Sequence, residues 1–187
     1  DTILKTLVID YQYEEIGPTE LVELTIHSLY MDFTFLTTGG FYIHTEFQTT
    51  DKKEADLRRF HAYDAVYSNK TGKKVITYVI YSGGITNVKS ELDCGLYTYR
   101  VQPIYLKDKN ADEVFRKLKQ KQDNGEAFTE DDYAALSLTP LMSGKMSRKD
   151  MFKEAIRLAK PNIELSAEKA TAMLYTLADK FLDRAEL

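Results

Sequence analysis

With 187 residues, 43% of them hydrophobic, the chain is long and apolar enough for one substantial core with an elaboration, which excludes a disordered or fibrous protein. A net charge of −4 excludes indiscriminate nucleic-acid binding through bulk electrostatics. No apolar run reaches the length of a membrane span, nothing after Asp1 reads as a signal peptide, and the lone Cys94 excludes an internal disulfide; these features predict a cytoplasmic protein with Cys94 as a packed free thiol.

Residues 1–15 mix apolar and acidic positions and predict a short helix, broken at Gly17-Pro18. Glu20 to Ile26 alternates and predicts a strand. In residues 29–36, Leu29, Met31, Phe33 and Phe35 alternate with Tyr30, Asp32 and Thr34; in residues 41–48, Phe41, Ile43 and Phe47 oppose Tyr42, His44, Glu46 and Gln48. Thr37-Thr38-Gly39-Gly40 between them supplies a turn, so the two runs predict an antiparallel hairpin. Asp51-Lys52-Lys53-Glu54 has the form of a capping box opening a helix to about Asn69, with Leu57, Phe60, Tyr63 or Asp64, and Tyr67 facing a sheet.

Lys74 to Tyr81 is apolar on both sides, which predicts a central strand covered on both faces, and Gly83-Gly84 ends it. Tyr97 to Leu106 predicts one more strand, displaced towards a sheet edge by Pro103. From residue 108 the period changes to helical. Asn110 to Glu113, Thr129 to Asp132 and Ser147 to Asp150 are helix starts, and Gly125 marks a helix end. The last helix carries a stripe of Ala170, Met173, Leu174, Leu177, Ala178, Phe181 and Leu182, which packs on the rest of the chain or on a second copy. The whole reads as an α/β core over 1–107 and a helical C-terminal region over 108–187, the latter without catalytic chemistry.

The hairpin carries the chemistry. Matching its buried faces permits a register with Asp32 opposite Glu46, which sets their Cβ atoms about 4.5–5.5 Å apart, where like charges repel. Such a pair calls for a cation, and oxygen ligands favour magnesium. The competing reading is a hairpin with one wet face, on which carboxylates are ordinary. Residues 52–74 hold seven basic residues, among them Lys52, Lys53, Arg58 and Arg59, against Glu54, Asp56 and Asp64, a net +4 that reads equally as a phosphate-binding patch or a solvated helix face. A second basic run, Arg116, Lys117, Lys119 and Lys121, reads as ordinary solvated helix surface. His44 reads as a partly exposed strand histidine, with proton transfer or groove lining as its alternative. His27 and His61 lack a partner at metal-ligand spacing.

Asp32 followed by Glu46-Phe47-Gln48 resembles the PD-(D/E)XK nuclease superfamily. More narrowly, residues 42–49 with the downstream Arg58-Arg59-Phe60-His61-Ala62-Tyr63 resemble the recombination-promoting nuclease and transposase-related group, over roughly residues 19–107. The resemblance implies a restriction-endonuclease-like mixed sheet flanked by helices. It also implies a metal-dependent endonuclease that hydrolyses DNA in recombination or on mobile elements. Asp32, Glu46 and the Phe47 carbonyl would bind Mg2+ (or Mn2+ or Ca2+), and Gln48 would orient the attacking water. The resemblance makes Arg59 a phosphate contact. The local basic charge adds Arg58, Lys52 and Lys53 as DNA-binding candidates, and the apolar stripe of the last helix suggests a homo-oligomer through the C-terminal helices. Glu20 or Glu23 would be an added acidic ligand. The superfamily's usual third residue is lysine; Gln48 offers hydrogen bonds but no charge. That departure leaves open a slower nuclease or a basic residue arriving from elsewhere, with Lys52, Lys53, Arg58 and Arg59 nearest in sequence. Together with the acidic net charge it also motivates a non-catalytic module of the same fold that binds nucleic acid or protein.

Overall fold

The computed structural model describes residues 31–160 and 164–182, within one compact unit, Met31–Leu187. The expected helix in 1–15, the strand Glu20–Ile26 and His27 lie outside the described residues. The architecture is mixed α/β: a mixed sheet flanked by helices, followed by C-terminal helices.

Strands β1 (Phe33–Leu36) and β2 (Tyr42–Gln48) form the expected antiparallel hairpin, with Phe33 opposite Thr45. One further step of that register brings Asp32 opposite Glu46. The turn closes because Gly40 adopts φ 78° and the Gly40 N–H donates to the Thr37 carbonyl at 3.0 Å. Helix α1 (Glu54–Thr71) runs two residues past Asn69 and stops at Gly72, whose left-handed φ of 67° lets its N–H reach the Ser68 carbonyl. Strand β3 (Val75–Tyr81) then returns parallel to β2, with Glu46 beside Val79. Strands β4 (Glu91–Asp93) and β5 (Thr98–Arg100) pair in a small separate sheet, and β6 (Gln102–Tyr105) completes the main one in the order β1-β2-β3-β6. Pro103 stands on β6, the outermost strand of that order, where a missing N–H breaks no inner ladder.

Two expectations need correction. The capping box at Asp51 does not form. Lys53 takes φ 54°, which redirects the chain just before the helix, so Glu54 reaches Arg58 and Lys89 instead of Asp51. The Asp51 carboxylate accepts the Lys53 N–H, and Asp56 accepts that of Lys52. The single strand expected over Tyr97 to Leu106 is divided at Val101. That residue is buried, its N–H bonds to the Ser90 carbonyl, and the chain changes sheets there.

The four C-terminal helices are α2 (Ala111–Asp123), α3 (Glu130–Leu138), α4 (Arg148–Ala159) and α5 (Leu165–Phe181). Their starts follow the sequence signals. Asn110 accepts from the Asp112 N–H, Thr129 and Asp132 form a reciprocal capping box, and Ser147 accepts from the Asp150 N–H. No helix among the described residues is long and apolar enough to cross a membrane.

The strands alternate their side chains between two cores. Phe47 and Ile80 join Phe115, Leu118, Leu136, Phe152, Leu158, Leu174 and Leu177 on the helical side. Val79 and Tyr81 join Leu57, Phe60, Leu92 and Val101 beneath α1 and the small sheet. This double coverage explains the continuous apolar run of β3. The stripe on α5 is used within the chain, since Ala170, Leu174, Leu177 and Ala178 are all buried in the helical core.

The basic run on α2 stays largely on the surface, as expected: Arg116, Lys117 and Lys119 are exposed and Lys121 is half-buried. Lys117 and Lys121 hold the buried Asp132 carboxylate, and Lys119 pairs with Glu154 at 2.7 Å. Lys121 is the one drawn partly out of solvent, because α2 packs across α3 and α4, a contact no local pattern encodes. Burial opposes the charge of Asp132, but Lys121, the Thr129 N–H and Lys117 hold its pKa well below the aspartate range. Asp132→Ala is expected to cost about 2 kcal/mol at pH 7, combining a lost cap with a broken ion pair. Because the folded pKa is depressed, that difference is present above the ordinary aspartate pKa near 4 and shrinks as pH falls below it. Urea unfolding of both proteins at pH 7 and pH 3 measures it.

Candidate functional site

His44, Glu46 and Gln48 share one face of β2, as alternation requires, and α1 covers that face. It is not wet: His44 is 0%, Glu46 1% and Gln48 8% exposed. The reading of His44 as a partly exposed histidine is therefore corrected. Alternation located the face, but the helix that buries it comes from a crossover that strand periodicity does not report.

Asp32 lies just ahead of β1 and turns its carboxylate along the strand edge. Its Oδ2 accepts the Phe47 N–H at 2.7 Å, taking the place of a backbone partner where β1 has not yet begun. Extended residues of an antiparallel pair aim N–H and C=O at the same neighbouring strand, so the Phe47 carbonyl faces this edge as well. Lys180, at the end of α5, donates to Asp32 Oδ2, and its Nζ stands 3.8 Å from Glu46 Oε2. The Asp32 carboxylate ahead of β1 and the Glu46 carboxylate on β2 thus share the Lys180 ammonium.

Around Glu46 the contacts are dense. Gln48 Nε2 donates to Glu46 Oε2 at 3.3 Å, so the glutamine amide is engaged with the carboxylate itself. Arg59 Nη2 lies 3.6 Å from Glu46 Oε2 and 3.5 Å from Asp56 Oδ1, and its guanidinium stacks 4.8 Å above the Phe60 ring. Arg59 Nε and Nη2 are buried atoms with no hydrogen-bond partner among the described residues. Arg58 faces solvent and pairs with Glu54 at 2.6 Å. Lys52 and Lys53 are exposed. Of the four basic candidates, the fold brings Arg59 to the carboxylates.

Behind Glu46 runs a buried chain of polar groups. His44 Nε2 bonds Glu46 Oε1 at 3.0 Å, and His44 Nδ1 bonds Asp64 Oδ1 at 2.8 Å. Asp64 in turn accepts from the Tyr99 hydroxyl at 2.6 Å and from Thr77, the residue beside His44 in the parallel ladder. An imidazole flanked by two carboxylates donates at both ends as the imidazolium. Burial works against that charge, but the hydrogen bonds to Asp64 and Glu46 outweigh it and push the His44 pKa up to about 9. Burial and the neighbouring Asp64 raise the Tyr99 hydroxyl far above the ordinary tyrosine value.

Lys180, Thr77 and Tyr99 were absent from the sequence reading, and Asp64 entered it only as a packing position. Asp64 had a signal: it sits seven residues after Leu57 and four after Phe60, an acid on a core-facing stripe. Lys180 had a fainter one, standing between Ala178 and Phe181 of the apolar stripe.

Asp32 and Glu46 are the residues that could hold a metal ion, with the Phe47 carbonyl beside them. Among the described residues no group of three His, Cys, Asp or Glu side chains is placed to hold one. Glu20 and Glu23 lie outside the described residues. No family model, no curated protein and no solved structure matches this chain.

Proposed function

We propose that this protein is a divalent-metal-dependent endonuclease of restriction-endonuclease-like fold, cleaving DNA phosphodiester bonds at Asp32 and Glu46. The observation that carries the reading is the convergence of those two carboxylates, one just ahead of β1 and one on β2, on the Lys180 ammonium. The ammonium there stands in for a metal ion. Magnesium takes one or two carboxylates and keeps several waters, so this donor set suits it without a third acidic ligand. The order of hairpin, crossover helix and parallel strand also agrees with the resemblance carried by Glu46-Phe47-Gln48.

When bound, the metal would lower the pKa of a water and offset charge on the phosphate. The chain's own groups supply the rest. His44 pins Glu46 Oε1, and Gln48 steadies Oε2, so the carboxylate keeps one orientation. Lys180 places a basic side chain on the carboxylate pair in the metal-free protein. Arg59 brings a partly exposed guanidinium beside Glu46, a donor group suited to a phosphate oxygen. A second reading, a non-catalytic module of the same fold, draws on Lys180 as well, because an ammonium already balances both carboxylates.

Nicking of supercoiled plasmid with Mg2+ or Mn2+ decides between them. Asp32→Ala and Glu46→Ala are expected to lose at least about 100-fold, more than the 10–100-fold typical of an outer-shell partner. Equal nicking by wild type and both variants would mean a contaminant and remove the endonuclease reading. No nicking by wild type with either metal would favour the non-catalytic module.

A further inference from the structure

Lys180 reaches the carboxylates from the far end of the chain, 148 residues beyond Asp32. Its backbone is held in place: Leu177 and Ala178 are buried in the helical core, and Phe181 and Leu182 pack against it. The side chain is 28% exposed, Asp32 16% and Glu46 1%, so the ammonium closes the outer side of an otherwise covered pair. On the inner side, His44 and Gln48 already occupy Glu46.

We infer that Lys180 is a built-in counter-ion that holds the divalent-cation position between Asp32 and Glu46 and withdraws when a metal ion enters. The inference rests on the reading of these carboxylates as metal ligands. A lysine ammonium and a divalent cation cannot share the two carboxylates: both need the same oxygens, and their charges repel. With the backbone anchored by its neighbours, withdrawal is a swing of the flexible four-carbon stem rather than a movement of α5. Before metal arrives, Lys180 joins Arg59 in balancing the buried Glu46 carboxylate at Oε2, and of the two Lys180 is the one that also bonds Asp32. Lys180 and metal are therefore antagonists at one site, and linkage makes the effect reciprocal: whatever Lys180 contributes to the metal-free state is subtracted from metal affinity.

The test is calorimetric titration of Mn2+ into the full chain, for wild type, Lys180→Met, Lys180→Gln, Lys180→Arg and Glu46→Gln. Removing the ammonium is expected to tighten Mn2+ binding about tenfold in the Met and Gln variants, within the usual range of coupling between two ligands. Lys180→Arg, which keeps the charge, is expected to bind within a few-fold of wild type. Glu46→Gln is expected to lose the site. Thermal melting supplies a second readout: the Met and Gln variants melt lower than wild type without metal, and Mn2+ raises their Tm by more. Tight binding by wild type and equally tight binding by Lys180→Met would overturn the counter-ion role and leave the carboxylate reading standing. Absence of binding in all five proteins, or unchanged binding in Glu46→Gln, would overturn both.

Discussion

His44→Ala is expected to destabilise the protein by about 3–5 kcal/mol at pH 6, the range for breaking a buried ion pair from one side. The size follows from what stays behind. Glu46 and Asp64 are 1% and 7% exposed, and the imidazolium is the group that bonds both at 3.0 and 2.8 Å. Thr77 and Tyr99 still donate to Asp64, and Gln48, Arg59 and Lys180 remain at Glu46 Oε2, so the loss falls on Glu46 Oε1. The effect carries a pH signature. The folded pKa of about 9 lies above the unfolded value near 6.5, so the contribution is complete below pH 6.5 and is lost as pH rises through 9. Urea unfolding of wild type and His44→Ala at pH 6 and pH 9.5 should give a difference that narrows at the higher pH. A difference that stays constant would mean that His44 is neutral in the fold and merely fills space.

Phe60→Ala should cost a similar amount, about 3–5 kcal/mol, through cavity formation. Phe60 is 0% exposed and joins α1 to the sheet with Leu57, Val79 and Tyr81. Its ring lies edge-on to His44 at 6.5 Å and beneath the Arg59 guanidinium at 4.8 Å. Truncation therefore removes both core volume and the platform that seats Arg59. Phe60→Leu, which restores most of the volume without the aromatic face, should recover most of the stability. Denaturant midpoints of the two variants separate packing from stacking. If Phe60→Leu unfolds as easily as Phe60→Ala, the ring's contacts with His44 and Arg59 matter more than its volume.

Much of the site's frame was legible in the chain. The period-2 runs around Gly39-Gly40 set a hairpin whose parity placed Asp32 against Glu46, and the structure keeps that register. The doubly apolar Lys74 to Tyr81 run anticipated β3 between two cores, and the caps at Asn110, Thr129 and Ser147 anticipated three helix starts. Each of these rests on residues within a few positions of one another. Failures came where a distant partner outweighed a local pattern. Glu54 left its expected cap for Lys89, 35 residues on. Val101 turned inward and divided one alternating run between two sheets. Lys121 closed on Asp132 and is half-buried, where its local pattern alone put it in water.

The sequence by itself determined which side chains share a face, because alternation and helical spacing follow from backbone geometry that each short segment carries alone. Only the tertiary structure decided what covers those faces. Helix α1 turned a strand histidine into a buried imidazolium by setting Asp64 against it, and the end of α5 delivered Lys180 to the carboxylate pair. Both outcomes depend on helix packing across cores built from residues far apart in the chain. Periodicity can mark Asp64 and Lys180 on their helices, but it cannot say what stands opposite them.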